Sequence, residues 1–239
     1  MLNQPTMADA GNDVAQTIAT YLASKGVPPT QAWLQSFIPT IRLNTPVLAL
    51  QKTALFRLLA TDLTASVKAS ASGALPPTIS DPAVKEKRIP GPVTVQVLDV
   101  EDIGRSRWSQ VEAIEAAERG ETTKGREVIR VLPEEGNAPA DSAQAAGESR
   151  SSGPHKLLLQ DAKGTKAYAM ELKGVGGVGV SMSIGSKMVL RDVLVARGVM
   201  LLEGRNVELL GGKVDAWDKK WRDERKAVLK EKAGMREGG

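Results

Sequence analysis

HKLLLQDAKGTKAYAMELKGVGGVGVSMSIGSKMVLRDVLVARGVMLLEGRNVELLGG, residues 155–212, decides the fold of this chain. Four short apolar runs follow one another: Leu157–Gln160, Ala167–Leu172, Lys187–Val195 and Val199–Leu210, the last broken near Gly204. Turn signals bound each run: Asp161–Gly164, the glycine-rich Gly174–Gly185 stretch, Gly198, and Gly211-Gly212. Strands at this spacing with glycine between them predict a small antiparallel barrel or sandwich, and leave no room for the helices of a βαβ fold.

Upstream, PVTVQVLDVEDI (Pro92–Ile103) supplies the first barrel strand, because Val93, Val95 and Val97 alternate with Thr94, Gln96 and Leu98. The next strand does not follow directly. Residues 104–153 form an insertion far longer than an ordinary connection, and loops of that size in compact domains carry function or are disordered. Ser109 and Glu112 read as a capping box for a helix ending at Gly120, Glu127–Leu132 (EVIRVL) as an extended segment, and 133–153 as disordered low-complexity chain. Trp108, Val111, Ile114, Val128, Ile129 and Leu132 are apolar groups on a segment that cannot form its own core. They either fold back on the barrel or meet a partner.

Downstream, KVDAWDKKWRDERKAVLKEK reads as a docked helix, with Val214, Trp217, Trp221 and Val228 on one side and pairs such as Asp218/Arg222 on the other. Lys219, Lys220, Arg222, Arg225 and Lys226 could face DNA or serve nuclear import. The competing reading, a salt-bridged solvated face over a tryptophan stripe, fits the mixed charge better.

The N-terminal part is helical. Val14, Ile18, Tyr21 and Leu22 mark one helix from Asp13 to Gly26; Thr30 caps a second carrying Trp33, Leu34, Phe37 and Ile38. A third starts at Thr45-Pro46 and runs to about Leu63 or Val67. Trp33 and Phe37 lie on the buried stripe, which favours a core role over a docking role. Residues 68–92, rich in small residues and proline, read as an extended linker that lets the helices pack loosely on the barrel. The expected organisation is α+β: a three-helix module (1–67), a linker (68–92), a five-stranded barrel (93–212, insertion 104–153) and a C-terminal helix and tail (213–239).

Composition narrows the chemistry. With 239 residues the chain can bury a real core, but it has no cysteine and one histidine, His155, so thiolate zinc sites, cysteine nucleophiles and multi-histidine metal sites are excluded. The net charge of +4 permits work near nucleic acid, whereas 3% aromatic residues argue against a base-stacking surface. Nothing approaches the roughly 18 apolar residues of a membrane span. Gly174, Gly176 and Gly179 spell G-x-G-x-x-G, yet residues 180–195 contain Gly185 and β-branched residues and do not read as the helix a dinucleotide site requires. His155 has no partner by motif and reads as a surface residue at a strand start; Asp99, Glu101 and Asp102 read as a strand-end surface rather than a cation site. No nucleophile–base set is visible, so the expectation is a binding protein, with no cofactor and no small-molecule substrate.

WLQSFIPTIRL, LLATDL, VTVQVLDV, HKLLLQDAKGTKAYAMEL and above all GVMLLEGRNVELLGGKVDAW, in this order, resemble the N-terminal region of the RecQ-mediated genome instability protein family. The resemblance runs from about Trp33 to Trp217. It implies an oligonucleotide/oligosaccharide-binding (OB) barrel after a three-helix module, acting in the nucleus as a non-catalytic subunit with a RecQ-family helicase and topoisomerase III to dissolve double Holliday junctions. It further implies that the barrel binds the topoisomerase and that the insertion, here Gly104–Gly153, influences its gate. Lys187 matches a barrel lysine beside that contact surface and joins the interface candidates. Only Tyr168 offers a stacking group on HKLLLQ and KAYAMEL, so the residues favour a protein partner over single-stranded or junction DNA, which remains the alternative.

Overall fold

The computed structural model describes residues 7–42, 45–70, 73–124, 127–130 and 153–234. Four helices come first: α1 (Met7–Ser24), α2 (Gln31–Phe37), α3 (Val47–Leu59) and the short α4 (Leu63–Ser66). Strands β1 (Glu86–Ile89) and β2 (Val93–Asp102) follow, then α5 (Arg107–Glu118) and the hairpin β3 (Glu121–Lys124) and β4 (Glu127–Arg130). The chain returns as β5 (His155–Asp161), β6 (Lys166–Glu171), β7 (Lys187–Leu190), β8 (Val193–Ala196), β9 (Val199–Leu202) and β10 (Val207–Gly211), and closes with α6 (Asp215–Lys232).

The main sheet has the order β1-β8-β9-β6-β5-β2-β7-β10. β7 and β8 are halves of one run that turns at Arg191-Asp192, where Asp192 has a φ of 49°. One half pairs with β2 and the other with β9, so the sheet curls back on itself. All pairings in it are antiparallel except β6 with β9. β9 and β10 are likewise halves of the Val199–Leu210 run, parted by a turn in which Asn206 Oδ1 accepts from the Glu203 N–H at 2.9 Å. The five expected strand runs therefore make the expected OB-type barrel, with the breaks near Arg191 and Gly204 where each run changes partner. Inward residues alternate along each strand, and Val95, Val97, Leu157, Leu159, Ala169, Met188 and Met200 fill the interior.

Helix starts differ from expectation in instructive ways. Thr30 does cap α2, its hydroxyl accepting from Trp33 N–H at 3.2 Å. Pro46 rather than Thr45 precedes α3, without a side-chain cap. α3 stops at Leu59, short of Leu63, because the Leu59 and Thr61 carbonyls are taken by Lys187 Nζ at 2.8 and 2.6 Å, and Asp62 then caps α4. Trp33 and Phe37 stack with ring centroids 5.0 Å apart in the helical core, as their place on the buried stripe predicts.

The helices do not pack loosely. Thr94 Oγ1 donates to the Gly26 carbonyl, Gln96 links Leu63 N–H, Asp62 and Gln160, and Ala162 and Leu210 from the barrel join the helical core. Gly212, at φ 91°, brings the chain so near α3 that an added Cβ would lie 2.4 Å from the Leu59 oxygen. The stretch expected as an extended linker also takes part: Leu75 and Ile79 are buried in the barrel core and Glu86–Ile89 pairs with β8 along the sheet edge.

Candidate protein interface

The insertion leaves the barrel at the end of β2. Ser106, not Ser109, caps α5, its hydroxyl accepting from the Ser109 N–H at 3.1 Å. Position Ser109 lies inside the first turn, so the S-x-x-E signal is offset by three residues. Gln110, buried, donates to the carbonyls of Asp102 and Arg105 and pins the helix to its exit strand.

α5 rests on α6. Lys226 bonds Glu118 at 2.5 Å, Lys230 bonds Glu115 at 2.8 Å, and Arg225 reaches Gln110 Oε1 at 3.2 Å while its guanidinium covers the Trp221 ring. Burial pulls the Arg225 pKa below its usual value, with Asp99 and Asp102 opposing the shift. Trp217 and Trp221 pack on the barrel core, and Trp221 Nε1 donates to Asp99 at 2.6 Å. The expected Asp218–Arg222 pair forms at 3.0 Å, and Asp218 also accepts from the Ile184 N–H.

The three acids at the strand end are thus absorbed into structure. Asp99 holds Trp221; Asp102 is buried and accepts from Gly104 N–H; Glu101 bonds Lys156 and Lys232. Burial works to raise the Glu101 carboxyl, but the hydrogen bond from Lys232 and the nearby cations outweigh it and hold the group below the usual carboxylate range. A cavity of about 390 Å³ remains between β2, α5 and α6, lined by these acids, Arg105, Arg225 and the apolar Ile103, Val228 and Leu229.

The candidate residues separate into groups. Trp108 stands 57% exposed, with Ile103 and Val228 also exposed at the mouth of the cavity. Val111 is buried against the fold and Ile114 half-buried, so the insertion helix both folds back and displays apolar surface. Val128 and Ile129 lie on β4, paired with Thr123 and Thr122, whereas Leu132 and all but the last residue of the stretch 133–153 expected as disordered lie outside the described residues. Lys187, an interface candidate by resemblance, is not at an open surface among the described residues. It is fully buried, spanning the seam between barrel and helices, and burial lowers its pKa to about 8 against the pull of Asp62. Of the basic set on α6, Lys219 and Lys220 are exposed, but Arg222, Arg225 and Lys226 are engaged within the fold.

A second surface lies on the barrel's outer wall, which the apolar runs alone do not single out. Strand register sets Leu158, Tyr168 and Val199 side by side, and Met170 beside Leu201, which pairs with Leu194. Their neighbours along each strand face the core, so these six point outward, partly exposed, and Tyr168 is 48% exposed. Lys156 sits 4.5 Å above the Tyr168 ring.

His155 also departs from expectation. It is buried, its Nδ1 2.6 Å from Glu171 Oε2, and the same carboxylate accepts from the His155 and Val175 N–H groups. The signal was present in the pairing: the β5–β6 register that sets Lys156 opposite Met170 brings His155 opposite Glu171. The G-x-G-x-x-G glycines lie in the β6–β7 connection with turns and no helix after them.

Models described as "RMI1, N-terminal OB-fold domain" and "RMI1, N-terminal helical domain" match residues 75–225 and 22–66. The chain belongs to the RMI1 family. Within it, the chain is similar to RecQ-mediated genome instability protein 1 of Schizosaccharomyces pombe, 29% identical over 219 residues, 85% of this chain and 89% of that protein. The protein of the same name from Xenopus laevis is 44% identical over 62 residues, 25% of this chain and 11% of that protein. The RMI1 barrel match begins at Leu75, in the barrel core, and ends at Arg225, so it takes in α5 and the half of α6 that carries both tryptophans. The RMI1 helical match ends at Ser66, the last residue of α4.

Proposed function

We propose that this chain is a non-catalytic genome-stability subunit that works in the nucleus with a RecQ-family helicase and binds topoisomerase III through its barrel and insertion. Membership of the RMI1 family and the names of its relatives support a RecQ-linked role. The observation that carries the topoisomerase contact is the bracing of α5 on α6. It leaves Trp108 and Ile103 standing exposed on a rigid support, which is how an interface presents aromatic anchors at low entropic cost. The apolar outer wall of β5, β6, β8 and β9 offers a second contact of the same kind. In this reading the insertion beyond α5 modulates the enzyme's gate and so promotes decatenation and double Holliday junction dissolution.

The test is binding of purified topoisomerase III from the same organism. Trp108→Glu and Leu201→Glu should each weaken binding at least tenfold without unfolding the chain, and removal of residues 121–152 should spare binding but reduce decatenation. Wild-type affinity in both point variants would sink the contact, and unchanged decatenation would sink the gate role.

A second reading, direct binding of single-stranded or junction DNA, has one observation in its favour: Tyr168, exposed on the barrel wall beside Lys156. A single aromatic is a poor stacking platform, since each stacked base contributes only about 1–3 kcal/mol. A salt-sensitive gel shift by the chain alone, lost in Tyr168→Ala, would favour it.

A further inference from the structure

The helical module carries a surface that neither the barrel nor the insertion uses. From Val14 to Thr61 the chain holds four cations, Lys25, Arg42, Lys52 and Arg57, and no aspartate or glutamate. All four are exposed, and none forms an ion pair among the described residues. Lys226 and Lys230 of α6 behave oppositely, being neutralised by Glu118 and Glu115 of the insertion helix. Over the whole module, residues 1–67, Asp9, Asp13 and Asp62 offset three of these four charges, but Asp62 is turned to Thr64 and Gln96, so the positive charge beside α3 is a local patch without a paired carboxylate among the described residues.

Apolar groups stand in the middle of that field. α3 buries Leu50, Ala54, Leu58 and Leu59 and turns Leu48, Lys52 and Phe56 to the other side at spacings of four. Leu48 is 61% and Phe56 76% exposed, with Val47 also exposed beside them. Arg57 is already oriented at the edge of the stripe, its guanidinium over the Phe37 ring and bonded to Thr40 Oγ1 at 2.6 Å. A side chain held this way loses little entropy on meeting a carboxylate.

We propose that the outer face of α3 docks an acidic amphipathic helix of a partner protein. Its apolar face covers Val47, Leu48 and Phe56, and its carboxylates meet Arg42, Lys52 and Arg57. Helix-on-helix-face recognition reads such anchors at i, i+3/i+4 and i+7 spacing, and complementary charge gives it orientation and on-rate. Nucleic acid fits less well, because aliphatic Val47 and Leu48 offer it neither charge nor a ring face.

The test selects binders from a displayed library of random 16-residue peptides on the full wild-type chain, with Phe56→Glu as counter-selection. Enrichment of sequences with excess Asp and Glu and apolar residues at helical spacing is expected. A synthetic peptide of the enriched sequence should lose at least tenfold in affinity on Phe56→Ala, and as much on the charge reversal Lys52→Glu with Arg42→Glu, which leaves the apolar stripe intact. Both changes are on exposed side chains, and far-UV circular dichroism would confirm that the fold persists. Enrichment indifferent to Phe56→Glu, or enriched peptides that are neutral or basic, would overturn the proposal. So would a 20-nucleotide single strand whose binding is abolished by Phe56→Ala while no peptide is enriched, which would reassign the face to nucleic acid.

Discussion

Lys187 holds a charge where no water reaches it. Its ammonium is satisfied by two carbonyls and favoured by Asp62, yet desolvation wins and the pKa falls from 10.5 to about 8. Between those values the unfolded chain binds the proton and the folded chain does not. The group's contribution to stability therefore rises with pH across that window, and below pH 8 it is a constant cost. The prediction is a comparison in which other lysines cancel: the stability of wild type minus that of Lys187→Met should increase from pH 7 to pH 9.5, by on the order of 1–2 kcal/mol. Denaturant melts at several pH values measure it, and a gap flat in pH would refute the assignment. Glu171 is the second residue of this kind, since one buried carboxylate serves three donors. Glu171→Gln turns an acceptor into a donor facing those N–H groups and should cost roughly 2 kcal/mol. A change under half a kcal/mol in the same melts would show that the donors find other partners.

At the scale of elements, α6 is a strut. Its tryptophans face the barrel and Arg225, Lys226 and Lys230 face α5, so part of the helix's positive charge is spent inside the fold. Reversing Lys226 and Lys230 to glutamate sets four like charges across the α5–α6 contact. Isolated exposed pairs contribute only about 0.2–1 kcal/mol each, but repulsion adds to their loss. Hydrogen exchange of α5 amides should accelerate about tenfold while β5 and β6 amides stay protected. Equal acceleration in both would mean that α5 opens only with the barrel. The capping signal illustrates the limit of local reading here: Ser106 and Ser109 both suit an N-cap, and the choice fell to Ser106 because Gln110 then reaches the Asp102 and Arg105 carbonyls.

At the scale of the molecule, the helices and barrel are joined through Lys187, Gln96, Thr94 and the close approach of Gly212 to Leu59. A buried polar seam of this sort couples the parts, because separating them strands its donors and acceptors. Unfolding should therefore follow one transition whether read from far-UV circular dichroism, dominated by helix, or from the near-UV signal of a Trp33→Phe chain, whose remaining tryptophans lie on α5 and α6 beside the barrel. Gln96→Ala removes the links to Leu63 and Asp62 and should lower both midpoints together by several degrees. Two separated transitions with Gln96 in place would show that the seam does not couple them.

What the sequence determined by itself was whatever repeats over a few residues. Period-two alternation in Val93–Val97, short apolar runs such as Leu157–Gln160, helical spacing through Ile18, Leu22, Leu50, Ala54 and Leu58, and glycine at the turns are local consequences of backbone geometry, and they were enough for the barrel, the helical module and the insertion. Only the tertiary structure decided which polar groups are buried and which apolar groups remain outside. His155 meets Glu171 across a strand pair, Lys187 meets Leu59 at a separation of 128 residues, and Leu158, Tyr168 and Val199 become one surface through register. Their environments depend on pairing between distant segments, which no local period encodes, so a lysine placed among the interface candidates became the seam of the fold while Trp108 and Phe56 stayed in the open.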